Sequence, residues 1–231
     1  MTPTTSDSPT RDGTRRGAAR RDGELRGDRV YAELRERLIS LRIAPGTPIE
    51  ETVTARELSV SRGSVREALR RLAADGLVVT VPKRGAFASE LSITDLSHIC
   101  EIRTALEPHA AHRAAERFGA IDQPGLHALL HELAGACHLS DVRQQISLYR
   151  RVHVFVARSA ANPLMEEALT RYVNLSVRIW HYARPRGPNP HLLLDEHHRL
   201  LTAISYGNPE RARAEMVRHI AALENAIREV L

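Results

Sequence analysis

The chain has 231 residues, 42% hydrophobic and 26% charged, with 33 Lys and Arg, 28 Asp and Glu and a formal charge of +5. That length is enough for one large domain or two smaller ones with real cores. Aromatic residues at 4% argue against a β-sandwich, and the lack of any run of about 18 apolar residues argues against a membrane span.

Nearly all the positive charge is arginine, Lys83 being the only lysine. The basic balance is compatible with a nucleic-acid partner and proves none. Cys100 and Cys137 are far apart and lack metal-type spacing, so they read as buried thiols of a reducing compartment. The start of the chain has no apolar signal core, and a cytoplasmic protein is expected.

Residues 1–27 are rich in Thr, Ser, Gly, Asp and Arg with little to bury, and read as a disordered tail. From Asp28 a helix is expected, with Val30, Leu34, Leu38 and Leu41 at helical spacing. Pro45, Gly46 and Pro48 break it. A short helix over 51–58, a tight turn at Ser59–Ser61 and a helix to about Ala74 follow, ended by Asp75-Gly76. Residues 77–81 are β-branched and strand-like, 82–85 form a turn and 86–89 return as a strand. This order over 28–90 is that of a winged helix-turn-helix with a small β-hairpin wing.

Over 91–231 the pattern is helical, with helices expected near 94–118, 123–138, 141–160, 162–183, 191–206 and 208–230. Asn162-Pro163 and Asn208-Pro209 mark two of the starts, and 183–190 reads as a loop. The expectation is a mainly α protein: the winged domain followed by an all-α bundle of six to seven helices.

On the segment 62–74, Val65, Leu69 and Leu72 make one apolar face, and Arg62, Ser64 and Arg66 lie near the N-terminal end, mostly off it. A recognition helix puts its N-terminal residues into the major groove, where Arg can bond guanine O6 and N7 together. Ser61 and Ser64 can cap the helix or donate to phosphate. Lys83, Arg84 and Gly85 at the hairpin tip suit a neighbouring backbone or minor groove. The alternative is that Arg62 and Arg66 pair with Glu67 or another acid. For Arg70 and Arg71 a solvated, structural role is preferred.

The stretch "VSRGSVREALRRLAADGL" followed by "KRGAF" resembles the winged helix-turn-helix of GntR-family bacterial transcription regulators. The resemblance implies operator contacts from Ser61, Arg62, Ser64 and Arg66 and from Gly85 at the wing tip. The family's turn usually carries Gly where this chain has Ser59.

Among twelve histidines, His153, His197 and His219 each sit inside an expected helix with an apolar stripe. Neutral imidazoles converging from three helices would suit Zn²⁺ or Ni²⁺; capped or core histidines are the alternative. Residues 93–231 resemble the all-helical FCD domain of the FadR-type subgroup, on "EIRTALEP" (101–108), Glu196-His197 and His219-Ile220. The resemblance implies that His153, His197 and His219 hold a divalent metal beside an effector, and that Arg103 and Tyr149 are its effector-binding residues. For Arg103 a structural salt bridge to Glu101 or Glu107 stays open. The family's metal-binding Asp falls at Tyr149, whose neutral phenol is a poorer zinc ligand. Trp180 and Tyr182 line the pocket or simply pack.

The expected function is a ligand-responsive transcriptional regulator. A homodimer would bind a palindromic double-stranded operator, with affinity controlled by a small organic acid in the helical domain. The linker near Ser89–Ile93 would serve as the hinge. Two alternatives stand beside it: a constitutive DNA-binding regulator with a non-functional effector and metal pocket, and a helical-bundle metalloenzyme.

Overall fold

The computed structural model describes residues 27–136, 141–183 and 190–228. The expected tail up to residue 26, Cys137 and the loop at 184–189 lie outside the described residues. The described residues form two compact units: 27–37 with Gly46–Ala88, and Leu38–Pro45 with those from Ser89 onward.

The first helix, α1, covers 27–39. Val30 and Leu34 are buried as their spacing requires. Leu41 departs from the expected pattern: it stands past the helix end with φ +58°, and Ile39 is buried instead. A two-residue strand, β1 (Pro48–Ile49), follows. The helices α2 (Glu51–Glu57) and α3 (Arg62–Ala74) pack together, and Val65, Ala68, Leu69 and Leu72 bury the apolar face of α3. Asp75 caps that helix, and Gly76 leaves it at φ +78°, a conformation open to glycine.

The wing strands are β2 (Val78–Val81) and β3 (Gly85–Ala88). They form a three-stranded antiparallel sheet in the order β1-β3-β2, with Pro48 opposite Phe87 and Ile49 opposite Ala86. The hairpin expected from the sequence therefore has a third strand. Two residues are too short to show alternation, and Pro48, which lacks an N–H, fits an edge position.

The second unit consists of α4 (Ile93–Glu116), a 3₁₀ turn at Phe118–Ala120, α5 (Gln123–Gly135), α6 (Val142–Ser159), α7 (Pro163–Ala183), α8 (Pro190–Ser205) and α9 (Pro209–Arg228). Ala183 closes α7, where the helix expected over 162–183 ends, and Pro190, expected in the loop, instead opens α8. Helix α4 is the hub, packing on α6, α7, α8 and α9. Asp122 caps α5 and Asp141 caps α6 through their carboxylates. None of the described helices is long and apolar enough to cross a membrane.

Candidate functional site

Two constellations carry chemistry, one in each unit. In the first, Ser61 is the N-cap of α3, its hydroxyl accepting from Ser64 N–H at 3.1 Å and lying 2.9 Å from the Ser64 hydroxyl. Arg62 and Arg66 project from the first turns with side chains about two-thirds exposed, at 63% and 66%. Arg66 donates to both oxygens of Glu51, at 3.1 and 2.8 Å, and Arg62 lies 3.9 Å from the same carboxylate. This hydrogen-bonded pair holds the Glu51 carboxyl below the usual carboxylate range.

The acid partner of Arg66 is thus Glu51 of α2, not Glu67. Glu67 accepts from Arg70, and Arg71 pairs with Asp28 at 2.7 Å. At the wing tip Lys83, Arg84 and Gly85 are exposed, Lys83 at φ +63° and Gly85 at φ +98°. A side chain at Gly85 would meet no steric obstacle; its backbone conformation is what favours glycine.

The second constellation lies in the core of the bundle. Helices α6, α8 and α9 deliver His153, His197 and His219, all at most 2% exposed. Nε2 of His153 lies 3.0 Å from Nε2 of His197 and 3.1 Å from Nε2 of His219. Outside this ring, Nδ1 of His153 is 2.6 Å from Glu107 and Nδ1 of His219 is 2.8 Å from Glu196. Burial is the main cause that pushes the imidazole pKa values down, to about 4 for His153, to about 3 for His219, and well below the ordinary value for His197. The rings are neutral at pH 7.

The carboxylates at Glu107 and Glu196 accept from N–H, which places the protons of His153 and His219 on Nδ1. Both Nε2 atoms then lack a proton and face each other, and Nη2 of Arg103 stands 3.5 Å from that of His153. A proton on His197 Nε2 could serve only one of them, while Nδ1 of His197 is buried without a partner. A divalent cation among the three Nε2 atoms satisfies all three lone pairs at once. Carboxylate–histidine pairs of this kind orient metal-binding rings. The donor set fits Zn²⁺ or Ni²⁺.

Around this centre Arg103 is fully buried. It donates to Glu107 at 2.5 Å, to the Ser176 hydroxyl at 2.8 Å and to the Tyr149 hydroxyl at 2.9 Å. Burial opposes charge on both members of the Arg103–Glu107 pair. Their mutual attraction outweighs it, holding Glu107 well below the carboxylate range and Arg103 above the guanidinium range. Of the two acids open to Arg103, Glu107 is the one it meets. Tyr149 is also fully buried, its ring centroid 4.5 Å from His153, 4.8 Å from His197 and 5.0 Å from Trp180. Burial pushes its phenol pKa up, so it is a neutral hydroxyl. Trp180 belongs to the core, and Tyr182 is exposed.

The sequence does not by itself pair Glu107 or Glu196 with the histidines. The i, i+4 spacing of Arg103 and Glu107 was the available signal for one. Glu196 reaches a ring on another helix, for which no local spacing gives a sign.

Comparison with known proteins gives concordant matches. Residues 98–222 match the FCD domain family model, and residues 26–88 match bacterial regulatory proteins of the gntR family. The HTH-type transcriptional repressor RspR of Escherichia coli (strain K12) is 25% identical over 201 residues, 87% of this chain and 88% of that one. Among solved structures, E. coli McbR/YncC has a TM-score of 0.77 at 23% identity, covering 88% of this chain and 97% of that one. A putative GntR regulator from Rhodococcus sp. RHA1 has a TM-score of 0.69, also at 23% identity, covering 90% and 99%. At these identities the structures speak for the fold alone.

Proposed function

This chain belongs to the gntR family of bacterial regulatory proteins and carries an FCD domain, so it is a transcriptional regulator and not an enzyme; from that premise we propose a homodimer that binds a palindromic operator under control of a ligand in the helical domain. Ser61, Arg62, Ser64 and Arg66 read the duplex from the start of α3, and Lys83, Arg84 and Gly85 touch it from the wing. For Arg62 and Arg66 this means exchanging half-buried Glu51 for phosphate or guanine, a trade of small cost because both guanidinium groups face solvent.

The observation that carries the ligand half is the convergence of three buried, neutral Nε2 atoms in the FCD domain. His153, His197 and His219 would hold Zn²⁺ or Ni²⁺. The ion would supply a Lewis-acidic centre with positions left for an organic acid. Arg103 would bind the same acid only by giving up part of its fork to Glu107. A ligand of this kind shifts DNA affinity to the extent that it binds the two states of the dimer unequally.

A second reading rests on Tyr149. Its ring packs against all three imidazoles, with centroids 4.5, 4.8 and 5.4 Å away, and its hydroxyl occupies an N–H of Arg103. In that reading the pocket is satisfied from within and DNA binding is constitutive.

Selection from random duplexes with the full-length protein tests the DNA half. Enrichment of a palindrome with half-sites about one helical turn apart is expected; no enriched sequence would end the proposal. Fluorescence anisotropy on the enriched duplex, with Zn²⁺ or Ni²⁺ and then with EDTA, separates the two readings. A reversible change in affinity supports ligand control, and tight binding indifferent to both supports the constitutive one.

A further inference from the structure

We propose that the outer face of the helical domain carries a second ligand site: a groove between α5 and α6 that takes an amphipathic organic anion of the alkyl or aryl carboxylate class. The groove encloses about 690 Å³, within the range of small-molecule sites. Ile121, Leu129, Val154 and Phe155 give it an apolar floor.

Charge around that floor is unbalanced. Arg117, Arg150, Arg151 and Arg158 line it against Asp122 and Glu132. Both acids are already engaged. Glu132 takes both ends of the Arg151 fork, and Asp122 accepts from the backbone N–H of Gly125 at 3.0 Å as the cap of α5. Arg150 gives its Nε–H to Asn174 at 2.6 Å. Two guanidinium groups are left over. The Nε of Arg117 is buried without a hydrogen-bond partner. The side chain of Arg158 is exposed and has neither an ion pair nor a hydrogen bond among the described residues. The exposed Arg158 guanidinium can take an anionic head group while the hydrocarbon covers Phe155 and Val154, and a turn of the Arg117 side chain would bring its costly unpaired Nε–H to the same anion.

A ligand with one charged end and one apolar body matches both halves of the groove. A second copy of this chain would have to bring its own acids to Arg117 and Arg158, and it would meet a concave surface. The groove is also mechanically placed. Tyr149 and His153 occupy the inner face of α6, and Val154, Phe155 and Arg158 its outer side. An occupant therefore bears on the helix that supplies His153. The site needs no metal, so it stands or falls apart from the histidine centre.

The test uses octanoate and 2-naphthoate, with 1-octanol and 2-naphthalenemethanol as uncharged controls, on the full-length protein. Calorimetric titration and amide chemical-shift mapping provide the readouts. Saturable binding of the carboxylates is expected, at least tenfold tighter than the alcohols, with shifts centred on 117–132 and 150–161. Arg158→Glu and Phe155→Ala should each weaken it at least fivefold with an unchanged circular dichroism spectrum. His153→Ala should leave it intact. The proposal is overturned by no saturable binding, by indifference to Arg158→Glu, or by shifts confined to the histidine centre. It is also overturned if the shifts on 117–132 and 150–161 follow protein concentration without added ligand, which would assign the groove to a second copy.

Discussion

Ser59 sits at φ +54° in the turn between α2 and α3, a conformation costing an L side chain about 1–2 kcal/mol. It is exposed, and its side chain makes no hydrogen bond among the described residues to offset that strain. Ser59→Gly relieves the strain and loosens the unfolded chain, a loss of about 0.5–1 kcal/mol. The net expectation is a gain of about 0.5–1 kcal/mol, read as a higher urea midpoint at unchanged slope; a lower midpoint would refute it. At the histidine centre, Glu196→Gln weakens the orientation of His219. Zinc affinity measured against a chromophoric chelator should fall about 10–100-fold. Tyr149→Asp puts a carboxylate four residues before His153, on the same face of α6. It should tighten zinc at least tenfold in that assay, and unchanged affinity would show that the tyrosine does not limit the site. The three histidines were legible in the sequence because a polar ring on an apolar helical stripe is conspicuous. Glu107 and Glu196 were not, because their partners lie across helix crossings whose register only the packed bundle sets.

Among elements, α1 is tied to the end of α3 by polar contacts rather than by apolar packing alone. The Tyr31 hydroxyl donates to Asp75 at 2.6 Å, and the Arg71 guanidinium lies 4.1 Å from the centre of the Tyr31 ring while its Nη1 holds Asp28. Tyr31→Phe keeps the ring under Arg71 and deletes one hydrogen bond. A loss of about 0.5–1.5 kcal/mol is expected. A double-mutant cycle with Asp75→Asn should return a coupling of similar size, and additive losses would mean the bond contributes nothing. Helices α3 and α5 to α9 could be read within a few residues, because each has an Asn-Pro, Asp or Gly boundary, whereas α2 and α4 are bounded by Glu50 and Leu58 and by Ser92 and Arg117. Strand β1 could not, since its two residues pair with β3 through backbone atoms and leave no side-chain pattern. Leu41 misled for the opposite reason: its spacing continues the stripe of α1 after the backbone has turned away.

For the whole molecule, ligand control requires some contact near the linker that differs between the DNA-competent and DNA-incompetent states. Helix α7 offers one. Ser176 accepts from Arg103 beside the histidine centre, and two residues on, buried Arg178 donates to the Ser89 hydroxyl at 3.0 Å and to its carbonyl at 2.6 Å. Ser89 follows the last residue of β3 and begins the segment leading into α4. One helix therefore touches the centre and the linker within a single turn. Burial lowers the pKa of Arg178, and its Nε lacks a partner, so the fork is held chiefly by Ser89. Arg178→Gln should leave zinc affinity within about threefold and preserve operator binding in the absence of metal. The zinc-dependent change in operator affinity, expected at about 5–150-fold for a coupling of 1–3 kcal/mol, should shrink to less than half on a logarithmic scale. Arg178→Lys keeps the charge without the fork and should behave the same way, which separates geometry from electrostatics. If both variants retain the full response, the signal reaches the winged domain by a route other than α7 and Ser89.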